Sequence, residues 1–295
     1  MTQRRPIPII AYVVTVFALS WALQGWIAWN GGIDGDAFRR LAPVVMFVPG
    51  LVALGFVLRR RGAIRWRPRS PAALAAAALL PALGAVLCSL AIQSAGLATS
   101  AALRWQDGVF LVDHRLFVLG SGEQSLAFFG VNLAASASVF SVLAGLLAFG
   151  EELGWRGYLQ EPLVARLGTA RGLALLGLLW GWWHLPLVLM GYNYPETPVL
   201  GGLVLLPLVG VGLSFFLGGL TLPSRSFWPA VLAHGSVNAF FGVLVYGLDF
   251  ARPRLLSDGL VLATTSLLGV LGWWLLRRAA GIRFSSAPPL AEPSR

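Results

Sequence analysis

The sequence predicts an all-α polytopic membrane protein, a bundle of about eight transmembrane helices around a polar cavity open to the cytoplasmic half. Three observations lead there. Hydrophobic residues make up 57% of 295 residues, with a mean hydropathy of +0.75, well above what soluble domains carry. The apolar residues fall into runs of roughly 17 to 25, the length that crosses about 30 Å of hydrocarbon. Charged residues are held to 12% of the chain, and those within apolar runs gather in a few late ones.

In chain order the expected spans are 7–29, 41–58, 72–95, 126–160, 172–190, 199–222, 227–247 and 259–276. The first follows Arg4 and Arg5 and closes on Trp26 and Trp29, residues suited to a membrane interface, so it reads as a retained anchor rather than a cleaved signal. The second ends at an arginine cluster between Arg59 and Arg69. The Ala-rich third holds Cys88, the one cysteine of the chain. No intrachain disulfide is possible, and Leu, Ser and Val neighbours make Cys88 a buried structural thiol rather than a nucleophile. The stretch 99–124, with Asp107, Asp113, His114 and Glu123, reads as a solvated extracytoplasmic loop with room for a short interfacial helix. The run 126–160 is too long for one plain span, so it must protrude, tilt or break near Gly157 and Pro162. The tail 285–295, rich in Pro and Ser, is expected to be disordered.

Every basic residue is arginine. Arg4, Arg5, the 59–69 cluster, Arg156, Arg166, Arg171, Arg225 and those from Arg277 onward fall on one side, against Arg39, Arg40, Arg104, Arg115, Arg252 and Arg254 on the other. The positive-inside bias then makes both termini cytoplasmic, and the composition suits a prokaryotic inner membrane. The net charge of +10 faces anionic lipid of the bilayer. Nucleic acid is excluded as a partner because no soluble basic domain exists to present it a surface.

The chemistry concentrates in three places. Glu151, Glu152 and Arg156 stand within six residues at the end of the fourth run, where each charge costs about 2.5 to 3.5 kcal/mol at a helix centre and so demands partners, water or a function. Trp180 precedes His184 by four residues and His234 precedes Asn238 by four, which puts each pair on one helix face. Glu152 and Arg156 share that spacing and are expected to pair, leaving Glu151 as the free acid. Gly177 and Gly181 lie on the face of His184, and Gly150 and Gly154 bracket the acids. Such small-residue strips allow close helix approach, here expected to bring the imidazole toward the carboxylates.

Glu-Glu-x-x-x-Arg, aromatic-x-x-x-His and His-x-x-x-Asn, in this order on successive helices, resemble the three motifs of the CPBP family (CAAX protease and bacteriocin-processing, or Abi) of intramembrane proteases, related to the Rce1 prenyl-protein endopeptidase. The resemblance covers 126–247, between N-terminal helices and loop (1–125) and a last helix (248–284). It implies an endopeptidase that hydrolyses a peptide bond of a membrane-associated protein or peptide. Glu151 and His184 would activate a water, with Glu152 in the catalytic set, and His234 and Asn238 would steady the oxyanion; Arg156 and Trp180 would be structural support. The second motif usually begins with Phe, where this chain has Trp180, a departure that bears on cavity shape. No cofactor is required on this reading. The family is often named metalloprotease, and a zinc ion would take Glu151, His184 and His234 as ligands, but neither His-Glu-x-x-His nor a closely spaced His pair occurs. Other classes compatible with intramembrane Glu and His are a proton-coupled transporter, a bis-His haem protein and a catalytically silent immunity or scaffold protein.

Overall fold

The computed structural model describes residues 8–59, 64, 66, 70–113, 117–250 and 254–279. His114, Arg4, Arg5 and the 285–295 tail lie outside the described residues. The helices are α1 (Ile9–Trp29), α2 (Asp36–Leu58), α3 (Pro71–Ser94), α4 (Leu126–Gly154), α5 (Gln160–Leu167), α6 (Thr169–Trp183), α7 (Leu185–Leu189), α8 (Pro198–Leu200), α9 (Leu206–Ser224), α10 (Trp228–Leu244) and α11 (Leu255–Ala279). Among the described residues six helical runs are long and apolar enough to cross a membrane: Ile9–Trp29, Asp36–Leu58, Pro71–Ser94, Leu126–Leu167, Pro198–Ser224 and Leu255–Ala279, and Trp228–Leu244 is a shorter apolar helix. The chain is a mostly helical, multi-pass membrane protein.

Two departures from plain helix shape the site. In the fourth span, α4 passes into α5 through a π turn, Trp155–Leu159. Pro162 supplies a cause: its ring cannot sit against the carbonyl four residues back, so the helix widens one turn earlier. The expected break near Gly157 is therefore a widened turn inside one continuous run. The fifth span is interrupted at His184, which ends α6 and begins α7. Pro186 has no N–H to bond the carbonyl of Trp182, so the ladder cannot pass through.

The stretch expected to be a loop with an interfacial helix is instead a three-stranded antiparallel sheet, β1 (Leu103–Gln106), β2 (Val109–Val112) and β3 (Gly122–Gln124). Asp107 and Gly108 both have positive φ, 50° and 83°, the conformation that closes a two-residue hairpin with the twist of its strands. Leu103 pairs with Val112 and Gln106 with Val109. Phe110 stacks on Phe129 of α4, with centroids 3.9 Å apart, and Asn132 of α4 donates to Gln124 while accepting from the Leu119 amide. The sheet thereby caps the end of α4 remote from the acids.

α4 packs against α2 and α10, α10 also against α3, and α9 lies between α6 and α11. The glycine strips serve different contacts from those the sequence suggested. Gly177 and Gly181 meet Gly210, Val211 and Pro207 of α9, and Gly150 and Gly154 meet Phe47 and Pro49 of α2 and Tyr12 of α1. The close approach that brings an imidazole to a carboxylate is Gly235 of α10 against Ser141 and Gly145 of α4.

Candidate active site

Glu151 and Glu152 occupy the last turn of α4, at 1% and 0% exposure. The widened turn that follows carries Arg156, whose Nη1 donates to Glu152 Oε1 at 2.9 Å. The same oxygen accepts from His234 Nδ1 of α10, also at 2.9 Å. Glu152 is thus the paired acid, as the i,i+4 spacing predicts, and it also ties α4 to α10. Because a carboxylate oxygen only accepts, His234 carries its proton on Nδ1, and Nε2 is the nitrogen left for other chemistry. Glu152 Oε2 and Arg156 Nε and Nη2 are buried without a protein partner among the described residues.

Glu151 is held from α6. Trp180 Nε1 donates to Glu151 Oε2 at 2.8 Å, while the Trp180 carbonyl accepts from His184 Nδ1 at 2.9 Å. The neutral His184 ring therefore keeps its lone pair on Nε2. The indole also lies 4.3 Å beneath the Arg156 guanidinium and 5.1 Å from the His234 ring. His184 packs edge-on against Trp183 at 4.6 Å.

Glu151, Glu152, Arg156, Trp180, His184 and His234 thus form one contact network drawn from α4, the π turn, α6 and α10. Protein closes around Glu151, Glu152 and His234, with half-buried His184 at the margin. Asn238 stands one turn beyond His234, exposed and with no hydrogen-bond partner among the described residues. Trp182 donates to the Leu203 carbonyl at 3.2 Å. Trp183 is buried and anchors α1, its carbonyl accepting from Trp21 and Gln24. Cys88 is buried, in keeping with a structural thiol.

Sequence reasoning missed Tyr192, in the turn after α7. Burial pushes its phenol above the ordinary value, and the negative charge of Glu151 pushes it further. It also passed over the aromatic group of Trp66, Phe149, Phe227 and Trp228, whose rings pack on one another where α4 meets the start of α10. Their spacing in sequence is irregular, and only the fold assembles them.

Both Nδ1 atoms and one oxygen of each carboxylate have protein partners, which leaves each Nε2 as the available ring nitrogen; no group of three His, Cys, Asp or Glu among the described residues is placed to hold an ion.

A family model described as type II CAAX prenyl endopeptidase Rce1-like matches residues 126–240, a window that contains all three motifs. CAAX prenyl protease 2 of Methanococcus maripaludis is 35% identical over 72 residues, 24% of this chain and 24% of that protein. The match spans about a quarter of the length of this curated relative.

Proposed function

We propose, from the match of residues 126–240 to the Rce1-like family model and the likeness to a CAAX prenyl protease 2, that the chain is an intramembrane endopeptidase of the CPBP type hydrolysing a peptide bond of a membrane-associated protein or peptide. The observation that carries the reading is that Glu151 and His184 hang on one residue, Trp180, at 2.8 and 2.9 Å, each with one protonatable atom unassigned.

In this mechanism a water between Glu151 and His184 Nε2 gives up a proton to the pair as its oxygen attacks the carbonyl carbon, which is general-base catalysis by positioned groups. The tetrahedral oxyanion is met by His234 and Asn238, donors set where charge develops. His234 Nδ1 is committed to Glu152, so it can donate from Nε2 only as the imidazolium. That state balances charge: two carboxylates face one guanidinium and one imidazolium, and a neutral cluster is the affordable one inside hydrocarbon. The proton held by the pair then passes to the leaving amine. Asn238, exposed and unbonded, is open to substrate.

The substrate class proposed is a membrane-tethered polypeptide, with a prenylated C-terminal segment as the first to try, given the name of the curated relative. Both termini are proposed to be cytoplasmic, in a prokaryotic inner membrane. Purified protein in nanodiscs, presented with such peptides, should cleave them, and Glu151→Gln or His184→Ala should abolish cleavage. Equal cleavage by either variant would defeat the reading. Metal content measured beside activity after chelation tests the metal-independent mechanism in the same preparation.

A further inference from the structure

Trp180 touches every other member of the buried network except Glu152, each through a different part of itself. Its indole N–H meets Glu151 at 2.8 Å, its carbonyl meets His184 at 2.9 Å, and its ring lies under Arg156 at 4.3 Å and in a T-shaped pair with His234 at 5.1 Å. We propose that Trp180 is the positioning residue of the water-activating pair, fixing Glu151 through its indole N–H and His184 through its carbonyl. This inference rests on the reading of Glu151 and His184 as that pair and adds what sets their geometry.

The carbonyl is available for a structural reason. In an uninterrupted helix the Trp180 carbonyl would bond the amide four residues on, which is that of His184. Here the His184 amide turns to Gly181 O at 3.1 Å, because the helix ends before Pro186. The released carbonyl takes the His184 side chain instead. The helix break thus both ends α6 and sets the imidazole tautomer, with Nε2 left as acceptor.

The indole N–H does for Glu151 what the carbonyl does for His184. A buried carboxylate oxygen with no donor is costly, and a single N–H on Oε2 directs the other oxygen outward as the proton acceptor. A residue that merely filled space would need the ring contacts with Arg156 and His234 and nothing more. The donor and the carbonyl set the spacing of the two acceptors from one backbone position.

The test is Trp180→Phe, together with β-(3-benzothienyl)alanine at position 180, which keeps the bicyclic shape and removes only the N–H. Both should lower kcat roughly tenfold to a hundredfold, as for loss of a hydrogen bond to a charged group, while KM and the unfolding midpoint stay near wild type. The benzothienyl variant answers should Trp180→Phe fail to fold. A readout independent of turnover is the ¹⁵N-indole signal of Trp180, assigned by its loss in Trp180→Phe, which should move in Glu151→Gln while the other tryptophan signals hold. Wild-type kcat in the benzothienyl variant, or an indole signal indifferent to Glu151→Gln, overturns the proposal and leaves the hydrolase reading standing. A wild-type protein that cleaves no peptide overturns the hydrolase reading and this proposal with it.

Discussion

His234 Nδ1 lies 2.9 Å from Glu152 Oε1, joining α10 to α4 across 82 residues of sequence, and that oxygen also accepts from Arg156. All three side chains are buried. Such a triad is costly to assemble and more costly to leave incomplete. Glu152→Gln, which strands the Arg156 guanidinium, should destabilise the protein by about 3 to 5 kcal/mol. His234→Gln keeps the Arg156 pair and should cost less. Unfolding in nanodiscs of both single variants and the double variant checks this: the double should cost less than the sum, as expected for residues in one network.

The contact between α10 and α4 depends on two glycines. A methyl group at Gly235 would meet Ser141 O and Gly145 N, both backbone atoms that cannot step aside. Gly235→Ala should therefore cost about 1 to 3 kcal/mol by overpacking and lengthen the Glu152–His234 bond. Gly242, on the same helix with open space for 4 Å around the position a methyl would take, supplies the control: Gly242→Ala should be neutral or stabilising. A Gly235→Ala unfolding midpoint no lower than that of Gly242→Ala would show that the helices have room to spare.

Asn238 separates stability from turnover. Exposed and without a partner among the described residues, it holds nothing in place, so Asn238→Ala should change stability by no more than about 0.5 kcal/mol. As an oxyanion donor its loss should lower kcat about 10²- to 10³-fold, with KM little altered. Steady-state kinetics beside an unfolding curve decides, and an unchanged kcat would remove Asn238 from the site.

The sequence carried the acids, the imidazoles and the Glu152–Arg156 pair because charge in an apolar run has few ways to be satisfied, and helical spacing names the partner. Direction across the bundle was less legible. The strips at Gly150/Gly154 and Gly177/Gly181 announced close contacts, but period alone cannot say which helix fills each, and both face scaffold helices. The hairpin turn at Asp107–Gly108 was written in the sequence and was overshadowed by the polar residues around it. Trp180 stood out as an aromatic where the motif usually has Phe, a difference read as one of cavity shape. Its donor role could not be read there, because an indole N–H finds its acceptor 29 residues away only through tertiary packing.

Tyr192 gives a prediction in pH. Burial and the Glu151 charge both hold its phenol above the ordinary value of 10.0, so the folded protein keeps that proton more tightly than the unfolded chain does. The resulting stabilisation is complete below the unfolded-chain value of about 10 and is lost as pH rises beyond it toward the raised value. Across the neutral range Tyr192 stays protonated and adds no limb to a pH–rate profile. Tyr192→Phe has no proton to lose, so its unfolding midpoint should fall less than that of wild type when pH is raised from about 8 to about 11. Parallel losses in the two proteins would show that the folded state does not hold the phenol proton more tightly than the unfolded chain does.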